Sequence, residues 1–474
     1  MSIGIGTFIP CVSLAALLAT LLTRRWETMR GIAWGSAVLL WLSSALAATH
    51  HVPGWDALAR WYELLVTILA GLSIPVSLQY LHGRQVKGES SAGDTRRYLL
   101  LYHGFLASLL AVGSLPNYFG IWAAVEATTL TSVFLVAFSG THAAVEAAWK
   151  YAMVAGIGGL VALAGTTAVL VGTGTPLNDW SLGLGVDTGV TLAMRSLVQL
   201  GLVLAVVGFG SKAGLVPFHT WLPDAHSQGP PPVSATLSAL KLVGGIYALL
   251  RLVALSRSVV GVAWPHTLLI LTGILSLAVA AFALPGQRDL KRMFAYSSIE
   301  HMGVIALGAG FGGIGLLGAL LHMWTHAFSK TTLFYGAGNV QEQYHATATP
   351  EVRGILATMP MTGSALAAGS LAIVGLPPFG VFWSEWLVLL GGVESGHLIW
   401  VAIATALLVA IVIGFALRLP PLLLGNGWGR ETARRLWPLG IALAGALVVG
   451  LAVPAAFHGI WIRAAQLAAG GGVG

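Results

Sequence analysis

His322, His326 and Lys330 stand at i, i+4 and i+8 in the segment LHMWTHAFSKTTLFYGAG. On a helix this spacing puts all three on one face, drifting about 40° per step. Imidazole titrates near neutral pH and a desolvated lysine can be driven towards it, so such a face suits the passing of protons. Glu126, Lys212, Lys241 and Glu385 also fall inside long apolar stretches. An ionised side chain at hydrocarbon depth costs roughly 2.5–3.5 kcal/mol even on the lenient insertion scale. Five such charges, with Lys330, therefore imply pairing, water or function. The plainer reading makes each a structural ion pair, or a snorkelling side chain in the case of Lys330 near a helix end. His219 and His301 are weaker candidates for the same chemistry, while His103, His266 and His397 are read as structural. Metal ligation by His322 and His326 is the rival chemistry. It is disfavoured because no carboxylate stands at a ligand spacing and Lys330 would repel a cation.

The elements that must position these residues are membrane helices. Of 474 residues, 56% are hydrophobic and 9% charged, with mean hydropathy +0.83, and the apolar character runs the whole length. Such chains are helical bundles or closed barrels, and apolar runs of about twenty residues decide for helices. Apolar segments fall at 3–22, 31–49, 58–81, 98–114, 116–138, 148–171, 192–226, 233–255, 266–285, 294–310, 314–338, 363–391, 397–418 and 437–459. With the amino terminus outside, sixteen of the twenty-four lysines and arginines lie in loops on the inner side, among them Arg84, Lys87, Lys291, Arg434 and Arg435. Arg60, Arg195, Arg251, Arg257 and Arg463 fall on the other. This asymmetry favours fourteen helices with both termini outside the cytoplasmic (inner) membrane.

Two segments are long and interrupted. Residues 192–226 break around Gly214 and Pro217, and residues 363–391 break at Pro377-Pro378, flanked by Gly375 and Gly380. Lipid cannot replace the lost backbone bonds, so each break must line an enclosed or hydrated space. The breaks take the fourth place in two five-helix blocks, 98–255 and 266–418, and because five is odd the second block is inverted. The expected fold is an all-α polytopic membrane protein with two inverted repeats, preceded by a three-helix segment (1–97) and followed by a last helix and tail (419–474).

Several classes drop out. One cysteine, Cys11, cannot build a disulfide, an iron–sulfur cluster or a thiolate zinc site, so no cofactor or metal is expected in this chain and any redox centre belongs to a partner. The net charge of +7 reflects membrane topology, since no basic run interleaved with aromatics suggests nucleic acid. Residues 3–22, followed by Arg24 and Arg25, read as a first spanning helix and not as a removable signal. Gly308 to Gly313 fits a dinucleotide pattern but follows no strand, and is expected to be a loop joining two helices. Gly470 to Gly474 reads as a disordered tail.

SKAGLVPFHTWLPDAHSQGPPPVSATLSALKLVGGIYALLR (211–251), DLKRMFAYSSIEHMG (289–303), HMWTHAFSKTTLFYGAGN (322–339) and GLPPFGVFWSEW (375–386) closely resemble the antiporter-like proton-translocating subunits of respiratory complex I. That family also includes membrane-bound hydrogenases and multi-subunit cation/proton antiporters, and Ile-Glu-His-Met-Gly at 299–303 is most similar to the hydrogenase-4 branch. The resemblance implies that Glu126 and Lys212 form a coupling pair and that Lys241 is the central lysine. It further implies that His322, His326 and Lys330 make the connecting polar face, and that Glu385 is the ionisable residue of the second broken helix. Separating Glu126 from Lys212 would destabilise the charged lysine and favour loss of its proton. The long lateral helix of the largest complex I antiporter subunit is not expected here. The implied function is proton translocation within a redox-driven complex of the hydrogenase, formate hydrogenlyase or complex I type, beside redox subunits with iron–sulfur or nickel centres. The alternatives are a proton-powered subunit of an inorganic-carbon uptake complex with a soluble zinc protein, and a sodium/proton antiporter subunit.

Overall fold

The computed structural model describes residues 5–50, 52, 55–175, 182, 191–432, 436–451 and 455–470. All fourteen apolar segments carry helix. Three helices come first: α1 (Ile5–Leu21), α2 (Trp26–Thr49) and α3 (Ala57–Val86). Next are α4 (Ala92–Ser114), α5 (Tyr118–Val136), α6 (His142–Gly172), α7 (Leu192–Ala213) and the short α8 (Leu222–Gln228) and α9 (Pro231–Thr236). A π-turn, Leu237–Lys241, joins α9 to α10 (Leu242–Val260). Then come α11 (Ala263–Ala283), α12 (Leu290–Phe311), α13 (Gly313–Tyr344), α14 (Ile355–Thr358), α15 (Pro360–Ile373), α16 (Gly380–Glu394) and α17 (Leu398–Arg418). The chain closes with α18 (Pro420–Leu423), α19 (Leu436–Leu451) and α20 (Ala455–Ala468).

Local chemistry sets the helix starts. Asp56, Asn117, Thr141, Thr191 and Asp289 each accept an amide of the following first turn, and Ser91 with Asp94 closes a reciprocal capping box at α4. Both expected breaks are present. After α7, Gly214 takes φ 74° and the chain turns until α8 begins at Leu222; after α15, Gly375 takes φ 71° and helix resumes at Gly380.

Among the described residues, eight helices are long and apolar enough to cross a membrane on their own. The halves of the second broken helix, 14 and 15 residues, are each too short to cross alone. Burial sorts centre from rim: the apolar window of Pro231–Val260 is 94% buried and that of Leu398–Leu423 only 22%. Helices α10, α12 and α13 form the interior, and α17 presents Ile399, Val409, Ile413 and Leu417 outward.

Several expectations need correction. Of the last apolar segment, α19 is described to Leu451, and α20, described from Ala455 to Ala468 and so past 459, packs on α3 and α13 with the Trp461 indole donating to the Leu317 carbonyl at 3.0 Å. Gly308 to Phe311 complete the last turn of α12, leaving Gly312 as the only link to α13. His301 sits mid-helix because α12 begins at Leu290. Two loop charges are interior: Arg251 lies in α10 paired with Asp56 at 2.5 Å, and Lys291 is fully buried, donating to the Gly229 carbonyl at 2.7 Å. Arg434, Arg435 and residues 471–474 of the tail lie outside the described residues.

The first broken helix is held by close backbone packing of α7 on α6. A Cβ at Gly208 would lie 2.2 Å from the Ala162 amide nitrogen, so any side chain there must push the helices apart. Gly208→Ala is expected to destabilise the purified chain by roughly 1–3 kcal/mol. Gly156→Ala on α6, where a Cβ meets nothing within 4 Å, should cause no loss; thermal melts in detergent compare the two.

Candidate functional site

The interior helices bring most of the chemistry-bearing residues into one row. At one end the Lys212 ammonium, on the last turn of α7, lies 2.8 and 2.9 Å from the two oxygens of Glu126 on α5 and 3.2 Å from the Thr129 hydroxyl. The pair is asymmetric: the Lys212 side chain is 0% exposed and Glu126 18%.

Lys241 comes next, ending the π-turn. That turn gains one residue over α-helical winding and rotates the lysine inward, where Nζ donates to the Lys212 carbonyl at 3.4 Å. No carboxylate within ion-pair distance faces it among the described residues. Aromatic faces do: Nζ lies 4.1 Å from the Trp221 ring centre and 4.7 Å from that of Tyr151, and the two rings stack at 4.3 Å. Trp221 belongs to the first break, and its indole bond to the Ser211 carbonyl at 2.9 Å ties the break to the lysine row.

The row continues through the π-turn. The Ser238 carbonyl, one turn before Lys241, is 3.3 Å from His326 Nε2. Three imidazoles then cluster, with His301 ring centres 5.1 Å from His326 and 5.0 Å from His322. One hydrogen bond, His301 Nδ1 to His322 Nε2, spans 2.8 Å, and His322 Nδ1 meets the Ser384 hydroxyl at 2.8 Å. Ser384 precedes Glu385, whose Oε1 is buried without a hydrogen-bond partner. Lys330 points another way, donating to the Phe294 carbonyl at 2.7 Å. It is fully buried and does not snorkel. His219, in the turn after α7, is half-buried and its Nδ1 has no partner, so the structure does not join its side chain to the row.

Tertiary packing also supplies what the histidine spacing lacked. One ligand atom each from His301, His322 and Glu385 lie within 4.8 Å of one another, so these three could hold a metal ion. The absence of a nearby carboxylate in sequence was no measure of its absence in space.

Several participants were missed. Glu300, buried, holds Oε2 3.9 Å from His301 Nε2; it stands beside a recognised candidate, and its neighbourhood was the available signal. His226 is buried between Trp221 and Phe334 and meets the Leu222 carbonyl at 2.9 Å. Ser384 carries no charge and gave no signal. A cavity of about 350 Å³ opens on the Arg84 and Lys87 face, reaching Gly229, Tyr335, Asn339 and Gln341.

Residues 116–414 match the family described as NADH:quinone oxidoreductase/Mrp antiporter, transmembrane, a span that contains the whole row. The chain belongs to that family. It is 33% identical over 363 residues to the hydrogenase-4 component F homolog of Methylacidiphilum infernorum, covering 75% of this chain and 76% of that protein. It is likewise 33% identical over 426 residues to NADH-quinone oxidoreductase subunit N of Desulforudis audaxviator, with 84% and 82% covered. Its fold matches a chain of the archaeal membrane-bound sulfane sulfur reductase with TM-score 0.84 at 23% identity, over 98% of this chain and 97% of the other.

The unequal exposure of Lys212 and Glu126 predicts unequal costs. Glu126→Gln strands a buried ammonium and should cost roughly 3–5 kcal/mol. Lys212→Met leaves a carboxylate with some solvent and should cost clearly less, and Lys212→Met in the Glu126→Gln background should recover most of the loss. Thermal unfolding of the three purified variants measures this.

Proposed function

We propose that this membrane-embedded subunit moves protons within a larger redox-driven complex, along the row from Glu126 and Lys212 through Lys241 and the three histidines to Glu385. The observation that carries the reading is the succession of the row: ionisable side chains from five helices and the π-turn follow one another in the interior, with hydrogen bonds of 2.8–3.4 Å at the Lys212 carbonyl, Ser238, His301 and Ser384 and a ring contact between His301 and His326. Purely structural ion pairs would pair off and end. Here, among the described residues, only Lys212 forms a close lysine–carboxylate pair; backbone carbonyls orient Lys241 and His326, and the imidazoles of His301 and His322 and the Ser384 hydroxyl are groups that can exchange a proton.

The chemistry follows from the pair at one end. With Glu126 alongside, the Lys212 ammonium is compensated. Movement of Glu126 leaves a bare cation that costs several kcal/mol, so the proton passes on, and the Tyr151 and Trp221 faces can hold it on Lys241 in place of a carboxylate. A partner that shifts α5 against α7 would thereby drive transfer. The cavity on the Arg84 and Lys87 face would be an entry towards Lys330, which lies one to two helical turns beyond its lining residue Tyr335 on α13.

The fourteen crossings, the two inverted five-helix blocks and the outward termini belong to this proposal. Its support is that both broken helices pack on the helix before them through glycine, α7 on α6 at Gly208 and α16 on α13 at Gly318, and that an alternating topology puts sixteen of the twenty-four lysines and arginines in loops of one side. The names of the hydrogenase-4 and NADH-quinone oxidoreductase relatives favour redox subunits as partners.

Two measurements test this. Purification through a tag on the chain, from its native membrane in mild detergent, should recover iron–sulfur or nickel subunits; recovery of one soluble zinc protein instead, or of small membrane subunits alone, would contradict the redox reading. In vesicles reconstituted with that complex, Lys212→Ala should abolish proton translocation while the complex still assembles. Wild-type translocation by this variant would reject the row as the path.

A further inference from the structure

Outside the row, one buried acid has no assigned task. Glu63, at the end of the second turn of α3, is 0% exposed and lies about 9 Å along the helix from its start. Oε1 accepts the Gly113 amide of α4 at 3.0 Å, while Oε2 is buried without a hydrogen-bond partner. No cation lies within ion-pair distance among the described residues. The Ser114 hydroxyl, also without a partner, is brought beside the carboxyl.

The site is built for this residue. A Cβ at Gly113 would lie 2.6 Å from Glu63 Oε1, so the carboxyl fills the space that a side chain on α4 would take. The preceding residue, Tyr62, donates to the Leu109 carbonyl at 3.1 Å, so neighbouring residues of α3 engage the carbonyl and the amide that stand one turn apart on α4.

The position connects in two directions. Towards the row, the Tyr62 hydroxyl would be 3.1 Å from a Cβ at Gly244, one turn along α10 from Lys241. Towards the arginine-poor face, the Tyr62 and Tyr247 rings lie 4.8 Å apart. The Tyr247 hydroxyl accepts from Arg251 at 2.8 Å, and Arg251 binds Asp56, whose side chain is 17% exposed at the start of α3. Polar side chains thus lead from Tyr62, beside Glu63 and packed on α10 one turn from Lys241, through Tyr247 and Arg251 to Asp56 at the end of α3 opposite Arg84 and Lys87.

We propose that Glu63 is a proton-carrying site between the lysine row and the arginine-poor face of the membrane domain. The inference rests on the proton-translocating function proposed above. The step is a proton exchange and moves no electrons. The carboxylate takes a proton released at Lys241, which leaves a neutral acid with an O–H for the Ser114 hydroxyl, and release towards Asp56 restores the carboxylate. A merely structural role would need only an acceptor for the Gly113 amide, which glutamine supplies. Only a proton site needs the acid.

The test uses the intact complex purified through this chain, as wild type and as Glu63→Gln, Glu63→Asp and Lys212→Ala, each checked for assembly by size-exclusion chromatography. Infrared difference spectra between acidic and alkaline buffer should show a carboxylic-acid carbonyl band that is missing from Glu63→Gln and displaced in Glu63→Asp. In vesicles, Glu63→Gln should slow proton translocation by about a hundredfold, with Glu63→Asp retaining much of it. An unchanged band, or wild-type translocation by Glu63→Gln while Lys212→Ala is inactive, overturns the assignment of Glu63 alone. Wild-type translocation by Lys212→Ala overturns the row and this site together.

Discussion

A charge inside a membrane protein has no bulk water to solvate it, and every ionisable group in the interior must be met by something the fold supplies. Most of the irregular backbone serves this need. The break after α7 turns Trp221 back over Lys241 and leaves the Lys212 carbonyl open to its ammonium. The π-turn brings Lys241 inward and the Ser238 carbonyl to His326. The second break ends α15 early enough for α16 to start at depth and present Ser384 to His322. Regular helices throughout would have closed each of these backbone groups on itself.

The means of meeting charge differ along the row, and the difference sets what each residue can do. Lys212 has a carboxylate, Lys241 has ring faces, Lys330 has one carbonyl, and the histidines have each other. An ion pair holds its proton tightly until the partner moves. A chain of imidazoles and hydroxyls holds none tightly, because each member is both donor and acceptor. In the function proposed above, the Glu126 end would act as the switch and the histidine end towards Glu385 as the conductor.

Much of this was legible in order along the chain and little of it across helices. Glycine and proline punctuation located both breaks, and apolar length located the long helices but not the short α14 and α18. The i, i+4 histidines were visible because one helix carries them. Their partner His301 lies on α12, and only packing shows that its ring faces His322. Glu300 and Glu63 escaped for the same reason: each is a lone acid in a helical stretch, and nothing in its own helix says that the neighbouring wall is closed. Arg251 and Lys291 were read as loop charges since basic residues near segment ends usually are; their partners, Asp56 and the Gly229 carbonyl, come from segments 195 and 62 residues away. Hydropathy alone does not separate α20 from α19, because the last apolar segment runs on to 459.

The central claim is that protons cross by way of the row, and Lys241 is its most exacting point, since it sits between pair and histidines and makes no ion pair of its own. Lys241→Met keeps about the length and the apolar stem and removes the ammonium, with its exchangeable protons and its bond to the Lys212 carbonyl. The decisive measurement is proton translocation by reconstituted complexes carrying this one change, alongside the activity of their co-purified partner subunits. The account predicts an assembled complex whose partners remain active and whose proton movement is lost. Translocation at the wild-type rate would show that protons take another path and that the row is structural.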